Sequence, residues 1–456
     1  MSLSQTALAS VQAELDPDTY TDAAVMRPLL QARLPGYAEG RLRIDALSVS
    51  KARRNTSLRR NPCPITLCYE LQVSDLAGGR AGTQVLYAKV YRPGLALSFY
   101  RRQDPGCLAQ PAFGDALVHL DDLNMVLWAL PNDPGLPQLR KLLDPGQADD
   151  ALPWAELGTT RAEFACVGVE LLRYEPECRA TLRYTLTSVN GTGTRALYAK
   201  TFCDNRARDI YQRFEHFWQL AQADADAPLV AKPVGYSPAT HTVWQAQAMG
   251  APLLGSLDAH DAKALIGRVA SALSLLHAAP LTPTRGATPR SAAHWVSEAR
   301  RRQNKISRAA PMLAARVARV ADAIAAQAGH QYTRSLSLIH GDFHPEQIWV
   351  QQGRVVLFDF DEFTLGDPME DLAGFVLKLD REGAAHELSS SLIERYAACA
   401  PGRFDQRSLN WHLTVQSLLQ ASRAFVFQQP GWTDELERRL AGSEARAVTM
   451  NRESPA

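Results

Sequence analysis

The stretch "HGDFHPEQ" at 340–347 is followed closely by a second acidic stretch, "DFDE" at 359–362. Each acidic segment comes directly after a short apolar run, "LSLI" at 336–339 and "VVLF" at 355–358. Short apolar runs that end in polar turns are typical of strands. Two groups of oxygen donors at strand ends indicate either a site for metal and phosphate or two solvated surface turns.

The composition is that of a globular protein with more than one domain. The chain has 456 residues, of which 46% are hydrophobic and 21% charged, and roughly 100–200 residues per domain predicts two to four domains. Lys and Arg total 49 against 48 Asp and Glu, a net charge of +1. This balance gives no overall field that would attract nucleic acid or an anionic membrane. We therefore expect neither as a partner, and the oligomeric state stays open.

The cysteines and the N-terminus bear on the compartment. The chain has seven cysteines, an odd number without a CxxC pair, which fits reduced thiols better than a disulfide framework or a zinc site. The N-terminal stretch lacks a basic start and an apolar segment, and no run of about 18 apolar residues occurs. We therefore expect a soluble, cytoplasmic protein.

An internal repeat is visible in the first half of the chain. "CPITLCYEL" at 63–71 and "CRATLRYTL" at 178–186 share five of nine residues at an offset of 178 − 63 = 115. "LYAKVY" at 86–91 and "LYAKTF" at 197–202 repeat at an offset of 200 − 89 = 111. The two offsets differ because the Gly-rich segment between the matched motifs is shorter in the second copy by 115 − 111 = 4 residues. A hairpin tolerates length changes in such a segment. The pattern predicts a small module of strands and helices that is present twice.

Helical spacing dominates after residue 255, interrupted by one hairpin-like segment that carries the acidic motifs. We expect the first copy to pack on its own chain, because a small sheet is marginal alone, with 144–158 as the connection between the copies. The predicted domains are an N-terminal helical segment 1–41, a first module 42–142, a nucleotide-binding small lobe 160–250 and a helical catalytic lobe 251–450. The fold class is α+β.

The spacing of the acidic residues matches the needs of phosphoryl transfer, which uses a carboxylate beside the attacking hydroxyl, two metal ligands and a cation on the phosphates. Asp342 and Gln347 lie five positions apart, as do the catalytic Asp and the metal-binding Asn of protein kinases. Asp359 follows both at the end of an apolar strand, where kinases have a metal-binding Asp. The spacing predicts Asp342 as the base or orienting group, with Gln347 and Asp359 as ligands of Mg²⁺.

A lysine and a glutamate complete this set. Lys200 ends the strand-like "ALYAK", which has the form of the kinase strand whose lysine contacts the nucleotide phosphates. Glu215 comes next in the chain, inside a predicted helix, and is positioned to orient Lys200. All parts occur in the order found in kinases.

"HGDFHPEQ", "LFDFDE" and "GDPMEDLA" together resemble the aminoglycoside phosphotransferase and choline kinase-like superfamily over roughly 165–400. The resemblance implies a protein-kinase-like two-lobe fold and ATP or GTP as co-substrate. It places 174–181, which lacks a GxGxxG pattern, where the phosphate loop would lie. It also implies that backbone groups near Ala246 and Ala248 hold the base, and that Asp371 braces the catalytic loop by accepting backbone hydrogen bonds.

Each of these residues also has a purely structural interpretation. Asp342 could satisfy its own turn, and Asp359 and Asp361 could be solvated charges at a strand end. Asp361 is expected to point away from Asp359, so a second metal contact is only one of its options. His344 is expected to be structural or to face the substrate.

Two residues do not follow the kinase pattern directly. Gln347 stands where kinases have Asn, and its amide oxygen can still bind a hard cation, with a longer side chain. Lys89, in the first module, is expected to be a relic or a surface residue in preference to a second nucleotide contact. The first module has no catalytic half of its own.

The sequence thus predicts a nucleotide- and Mg²⁺-dependent phosphotransferase that acts on a hydroxyl group of a small molecule. The alternatives are a pseudokinase-like regulatory protein that binds a nucleotide or a partner, and a kinase for a protein or peptide side chain. The acceptor would be selected by the segments near 282–330 and 380–430 and is not indicated by the sequence.

Overall fold

The computed structural model of the chain describes residues 17–54, 65–191, 193–223, 227–257, 261–280, 289–331, 335–381, 386–426 and 431–452. The start of the predicted N-terminal helical segment, 1–16, therefore lies outside the described residues, as do Cys63 of the repeat and parts of the segments 282–330 and 380–430. The described residues form two compact units. One lies within 1–151, 169–181 and 424–432, and the other within 152–168, 182–423 and 433–456.

The first unit contains an antiparallel sheet that, among the described residues, has five strands in the order β1-β2-β3-β5-β4. The strands are β1 (Leu42–Arg54), β2 (Ile65–Asp75), β3 (Ala81–Val90), β4 (Leu117–Leu120) and β5 (Met125–Ala129). The helices are α1 (Ala23–Arg33), α2 (Ala96–Tyr100), α3 (Leu139–Leu142) and α4 (Pro145–Ala148).

Helix α1 covers one face of this sheet. The Asp22 side chain accepts the backbone N–H groups of Ala24 and Val25 and so caps the helix. Met26 and Leu30, one turn apart, are fully buried in the core of this unit. Burial of each side chain contributes about 1.5–3 kcal/mol. The first sheet therefore has a hydrophobic core of its own.

A second sheet has the strand order β6-β7-β8-β11-β10, again five strands within the described part of the chain. Its strands are β6 (Phe164–Glu175), β7 (Arg179–Ser188), β8 (Thr194–Phe202), β10 (Pro233–Ser237) and β11 (Thr242–Ala246). The tip of the β6–β7 hairpin, 169–181, belongs to the first unit, and the remainder of the sheet to the second.

The two sheets agree in register as well as in order. Lys89 in β3 is opposite Val126 of β5, and Lys200 in β8 is opposite Val243 of β11. Both β4–β5 and β10–β11 are joined by a short 3-10 turn that ends in a residue with φ of 48°. Duplication of one module is our interpretation of this agreement.

The rest of the second unit is mainly helical. Its helices are α5 (Arg206–Ala223), α6 (Ala262–Ala278), α7 (Ala292–Ala309), α8 (Ala314–Ala326), α9 (Ala328–Gln331), α10 (Met369–Arg381), α11 (His386–Cys399), α12 (Gln406–Val426) and α13 (Trp432–Arg452). Across the part of the chain that is described, every helix is too short or too polar to cross a membrane.

The predicted single hairpin in this region is too simple. The further strands are β9 (Leu229–Val230), β12 (Ala251–Pro252), β13 (Ser337–Ile339), β14 (Ile348–Gln351), β15 (Arg354–Leu357) and β16 (Thr364–Gly366). The hairpin β14–β15 is joined by β12 and β9, and β13 pairs separately with β16. These partners are two or three residues long and distant in sequence, so no local periodicity shows them.

Candidate active site

Two nested ladders bring the acidic segments together. Ile339 of β13 is opposite Thr364 of β16, and Ile348 of β14 is opposite Leu357 of β15. The segments 340–347 and 358–363 therefore both lie between the same two ladders. Their proximity follows from strand pairing and does not depend on the polar side chains themselves.

Asp371 fixes the first segment, in the role that the resemblance implied. Its buried carboxylate accepts the backbone N–H groups of His340 (2.7 Å) and Gly341 (2.8 Å) and lies 3.1 Å from His277 Nε2. Burial alone would raise the pKa of Asp371, but the hydrogen bonds and the charges of His277 and His340 outweigh it and hold the pKa below its usual value. Asp371 is thus an internal anchor for the loop that carries Asp342.

Gly341 allows the two segments to approach. Its φ of 79° is in the left-handed region, and a Cβ atom there would lie 2.3 Å from the carbonyl oxygen of Glu362. Any side chain at this position would push the two acidic segments apart. The glycine is required by the geometry of the site.

Lys200 reaches from β8 to the second acidic segment. Its Nζ lies 2.7 Å from Asp359 Oδ1 and 2.5 Å from Asp361 Oδ2. The prediction that Asp361 points away from Asp359 is wrong, since both carboxylates contact the Lys200 ammonium. Residues two positions apart in a strand already lie on one face, and here β15 ends before both of them, at Leu357. Asp359 then adopts φ of 62° and begins a 3-10 turn. A non-glycine residue in the left-handed region costs on the order of 1–3 kcal/mol, and such residues cluster at functional sites.

Gln347 and Asp342 lie next to this ion pair. Gln347 Nε2 is 3.2 Å from Asp359 Oδ2 and 3.4 Å from His344 Nε2. His344 Nε2 is in turn 3.7 Å from Asp342 Oδ2. The structure therefore brings Lys200, Asp359, Gln347 and Asp342 into one connected cluster, with His344 between the last two.

The ionisation of Asp342 is set by competing effects. Burial by surrounding atoms would raise its pKa, but the nearby imidazoles of His344 and His340 lower it below the usual value. Because 50% of the side chain is exposed, solvent screens these effects. The carboxylate is the form that could accept a proton or orient a hydroxyl group.

Helix α5 supports the Asp359 turn. Phe214 stacks on Phe360, the residue after Asp359, with ring centroids 5.3 Å apart, and Arg213 donates to the carbonyl of Phe363 at 2.6 Å. Glu215 on the same helix accepts from Tyr211 at 3.3 Å. The pairing of Glu215 with Lys200 stays a prediction.

The predicted base-binding segment follows β11. Ala246 is the last residue of that strand, and its N–H donates to the carbonyl of Lys232 at 2.9 Å. Ala248 is half-buried in the irregular segment that follows. Base binding by either residue stays a prediction, and the Ala246 N–H is already used within the lobe.

Arg290 was missed by the sequence analysis. Its guanidinium donates to the Gly341 carbonyl at 2.7 Å, to Glu362 at 2.5 Å and to the buried Glu370. Burial raises the pKa of Glu370 to about 8 against the attraction of Arg290. Arg290 thereby ties both acidic segments to helix α10. It precedes α7 in a Pro- and Thr-rich stretch without a recognisable motif, so no sequence signal indicated it.

The donor set fits a hard divalent cation. Asp359 and Asp361 offer carboxylate oxygens of the kind that Mg²⁺ prefers. Gln347 faces Asp359 through Nε2, and its amide would have to turn over to bring the oxygen to a cation. No cluster of three or more His, Cys, Asp or Glu residues suited to a metal occurs among the residues that the structure describes. A cation here would therefore rely on two carboxylates, the Gln347 amide and oxygens of a bound ligand.

Lys200 comes from a strand of the second sheet, and its partners Asp359 and Asp361 follow the strand β15. The sequence model described as the phosphotransferase enzyme family matches residues 190–405. This match confirms, for that segment, the resemblance to aminoglycoside phosphotransferases. No curated protein sequence matches the chain.

Several solved structures are similar at low identity. A thermostable mutant of aminoglycoside phosphotransferase APH(4)-Ia is 16% identical, with 63% of this chain and 95% of that chain covered and a TM-score of 0.43. Choline kinase from Cryptosporidium parvum Iowa II is 11% identical, with 68% and 95% covered and a TM-score of 0.47. An ADP-bound aminoglycoside phosphotransferase APH(2'')-Ib is 13% identical, with 62% and 95% covered and a TM-score of 0.45.

Proposed function

We propose that the protein is a nucleotide- and Mg²⁺-dependent phosphotransferase that moves the γ-phosphate of ATP or GTP to a hydroxyl group of a small molecule. The observation that carries this proposal is the cluster in which Lys200 pairs with Asp359 and Asp361 while Gln347 connects it towards Asp342. These groups come from distant parts of the chain. A surface turn would not require such convergence.

Each residue has a role in the proposed transfer. Lys200 binds the nucleotide phosphates as a cation, and Asp342 orients the acceptor hydroxyl and accepts its proton. Asp359 and Gln347 would hold Mg²⁺, with Asp361 as a further carboxylate ligand. When bound, the cation neutralises charge on the β- and γ-phosphates. Asp371 and Arg290 keep the loop of Asp342 in place.

When a nucleotide binds, Lys200 and the two aspartates would exchange partners, and the exchange is electrostatic. In the structure the ammonium of Lys200 pairs with two carboxylates. A nucleotide with its metal brings both a cation for the aspartates and anionic oxygens for the lysine. Both sets of charges can therefore be compensated after the exchange, and neither is left buried and unpaired.

Nucleotide binding by calorimetry, with ATP and with GTP, tests the proposal. We expect one Mg²⁺-dependent site per chain, which Asp359→Ala abolishes because the cation loses its main anionic ligand. The matched control is Asp322→Ala, since Asp322 is an exposed partner of Arg300. Wild-type protein that binds neither nucleotide would contradict the proposal.

Turnover separates the proposal from its alternatives. Nucleoside diphosphate release would be measured with pools of hydroxyl-bearing metabolites and with peptides as acceptors. Transfer to a metabolite supports the proposal. Tight binding that needs no metal and gives no turnover would favour a pseudokinase-like protein, and transfer to peptides alone would favour a protein kinase.

A further inference from the structure

Lys89 of the first module has a defined partner. Its Nζ lies 2.5 Å from Glu177 Oε1, with 20% of the Lys89 side chain and 36% of the Glu177 side chain exposed. Glu177 lies at the tip of the β6–β7 hairpin, which belongs to the first unit. Neither of the roles considered from the sequence, an unused residue or a second nucleotide contact, includes this pair.

Asp133 holds the same hairpin tip. Only 3% of the residue is exposed, and its carboxylate accepts the Glu177 N–H at 2.8 Å, the Tyr174 hydroxyl at 2.7 Å and the Gly135 N–H at 2.7 Å. Burial raises the pKa of Asp133, and these three donors oppose the rise. A buried carboxylate without such donors would be strongly unfavourable. The first module thus has a specific binding site for this hairpin tip.

The backbone of the tip is adapted to the site. Glu177 has φ of 57°, a left-handed conformation that is uncommon outside glycine. A Cβ atom on Gly135 would lie 2.6 Å from the Cα atom of Glu177. The absence of a side chain at Gly135 is therefore what lets the tip approach Asp133.

The site formed by Lys89 and Asp133 corresponds in position to the proposed nucleotide site of the second sheet. Lys89 has the register of Lys200, as described above. Asp133 stands four positions after the end of β5, as Gly250 stands four positions after the end of β11. The hairpin tip thus touches the equivalents of both the phosphate lysine and the base-binding segment.

We infer that the module 42–142 is a docking module whose nucleotide-type site is filled by the hairpin tip 174–177 of its own chain. Lys89 and Asp133 are then positioning residues for the nucleotide site of the second sheet. This step rests on the proposed function and on the strand order, in which β7 of this hairpin lies beside the Lys200 strand β8.

Two physical effects link docking to nucleotide affinity. Lys89 cancels the charge of Glu177, which would otherwise repel phosphate oxygens. Asp133 fixes the backbone of the tip, so less conformational freedom is lost when the nucleotide binds. The module accordingly strengthens nucleotide binding without touching the nucleotide.

A charge-removal series tests the role of Lys89. Lys89→Met frees the Glu177 carboxylate, and we expect the nucleotide Kd to rise about 3- to 10-fold with kcat unchanged. The double variant with Lys89→Met and Glu177→Gln removes both charges and should bind within about twofold of wild type. A double variant as weak as Lys89→Met would show that Lys89 contacts the nucleotide, and unchanged affinity in Lys89→Met would also overturn the inference.

A steric variant tests docking itself by hydrogen exchange, without any nucleotide. Gly135→Ala should accelerate amide exchange in 174–178, because the added methyl group displaces Glu177. Gly193→Ala is the control, since a Cβ atom there meets nothing within 4 Å. Unchanged exchange at the tip in Gly135→Ala would refute docking. If wild type binds no nucleotide but the tip responds, the proposed function fails and the docking site stands.

Discussion

Replacement of Lys200 by Met tests whether its ammonium is the counter-charge of the site. With Nζ 2.7 Å from Asp359 and 2.5 Å from Asp361, Coulomb attraction at an effective dielectric constant of about 20 is roughly 6 kcal/mol for each pair. Desolvation of the three groups offsets much of this attraction. Measured losses on removing one partner of a buried pair are about 3–5 kcal/mol.

We expect Lys200→Met to lower the free energy of unfolding of the nucleotide-free protein by about 3 kcal/mol. The lower end applies because Lys200 and Asp359 are partly exposed, at 20% and 15%. The two aspartates, left without a cation, repel each other.

Mg²⁺ should then stabilise the variant more than the wild type, since the freed carboxylates can bind it. At a hundredfold excess over Kd the gain would be about 2.7 kcal/mol. In the wild type the Lys200 ammonium already occupies the space between both carboxylates, so Mg²⁺ without nucleotide should stabilise it less than the variant.

The assay is urea unfolding followed by tryptophan fluorescence, with and without Mg²⁺. Lys263→Met is the matched control, because Lys263 pairs with Glu387 at 2.7 Å but both side chains are well exposed; its stability should not change measurably. The reasoning is refuted if Lys200→Met costs less than about 1 kcal/mol, or if Mg²⁺ stabilises variant and wild type equally.

Three further predictions concern the loop between β13 and β14. Asp342→Asn should lower turnover by on the order of 10²–10⁴ with nucleotide affinity nearly intact by calorimetry; unchanged turnover removes Asp342 from its role. Asp371→Asn should cost about 3 kcal/mol in urea unfolding. Because the pKa of Asp371 is depressed in the folded protein, the free energy of unfolding of the wild type should fall as the pH drops below about 4. The free energy of unfolding of the variant should fall less over that range. Equal dependence on pH in the two proteins would contradict this. Arg290→Lys keeps the charge but loses the forked contacts with Gly341 and Glu362, so steady-state kcat should fall about tenfold at constant nucleotide Kd; a change in Kd alone would refute the positioning role.

Much of the site could be predicted because it depends on spacing along the chain. Asp342, Gln347 and Asp359 are separated by short segments whose lengths are set by strands and turns, and Lys200 ends a recognisable strand. These are local properties, and the structure brings all four residues together.

The remainder depends on where strands end and on contacts between distant residues. Asp361 was misjudged because its orientation is set by the 3-10 turn that follows Asp359, and β15 ends before it at Leu357. Arg290 acts on Gly341, 51 positions away, with no motif to mark it. Asp133 and Glu177 meet only because a turn after one sheet receives the hairpin tip of the other.

The distances along the chain between paired residues also impose an order on biosynthesis. Asp133 and Glu177 are 44 residues apart, and both precede Lys200, so both are made before that lysine is translated. Lys200 and Asp359 are 159 residues apart, which at roughly 5–20 residues per second means a delay of about 8–32 s. During that interval the nascent chain carries a lysine whose counter-charges do not yet exist. The hairpin tip can therefore be seated during translation, whereas Lys200 can pair with both Asp359 and Asp361 only after Asp361 has been added to the chain.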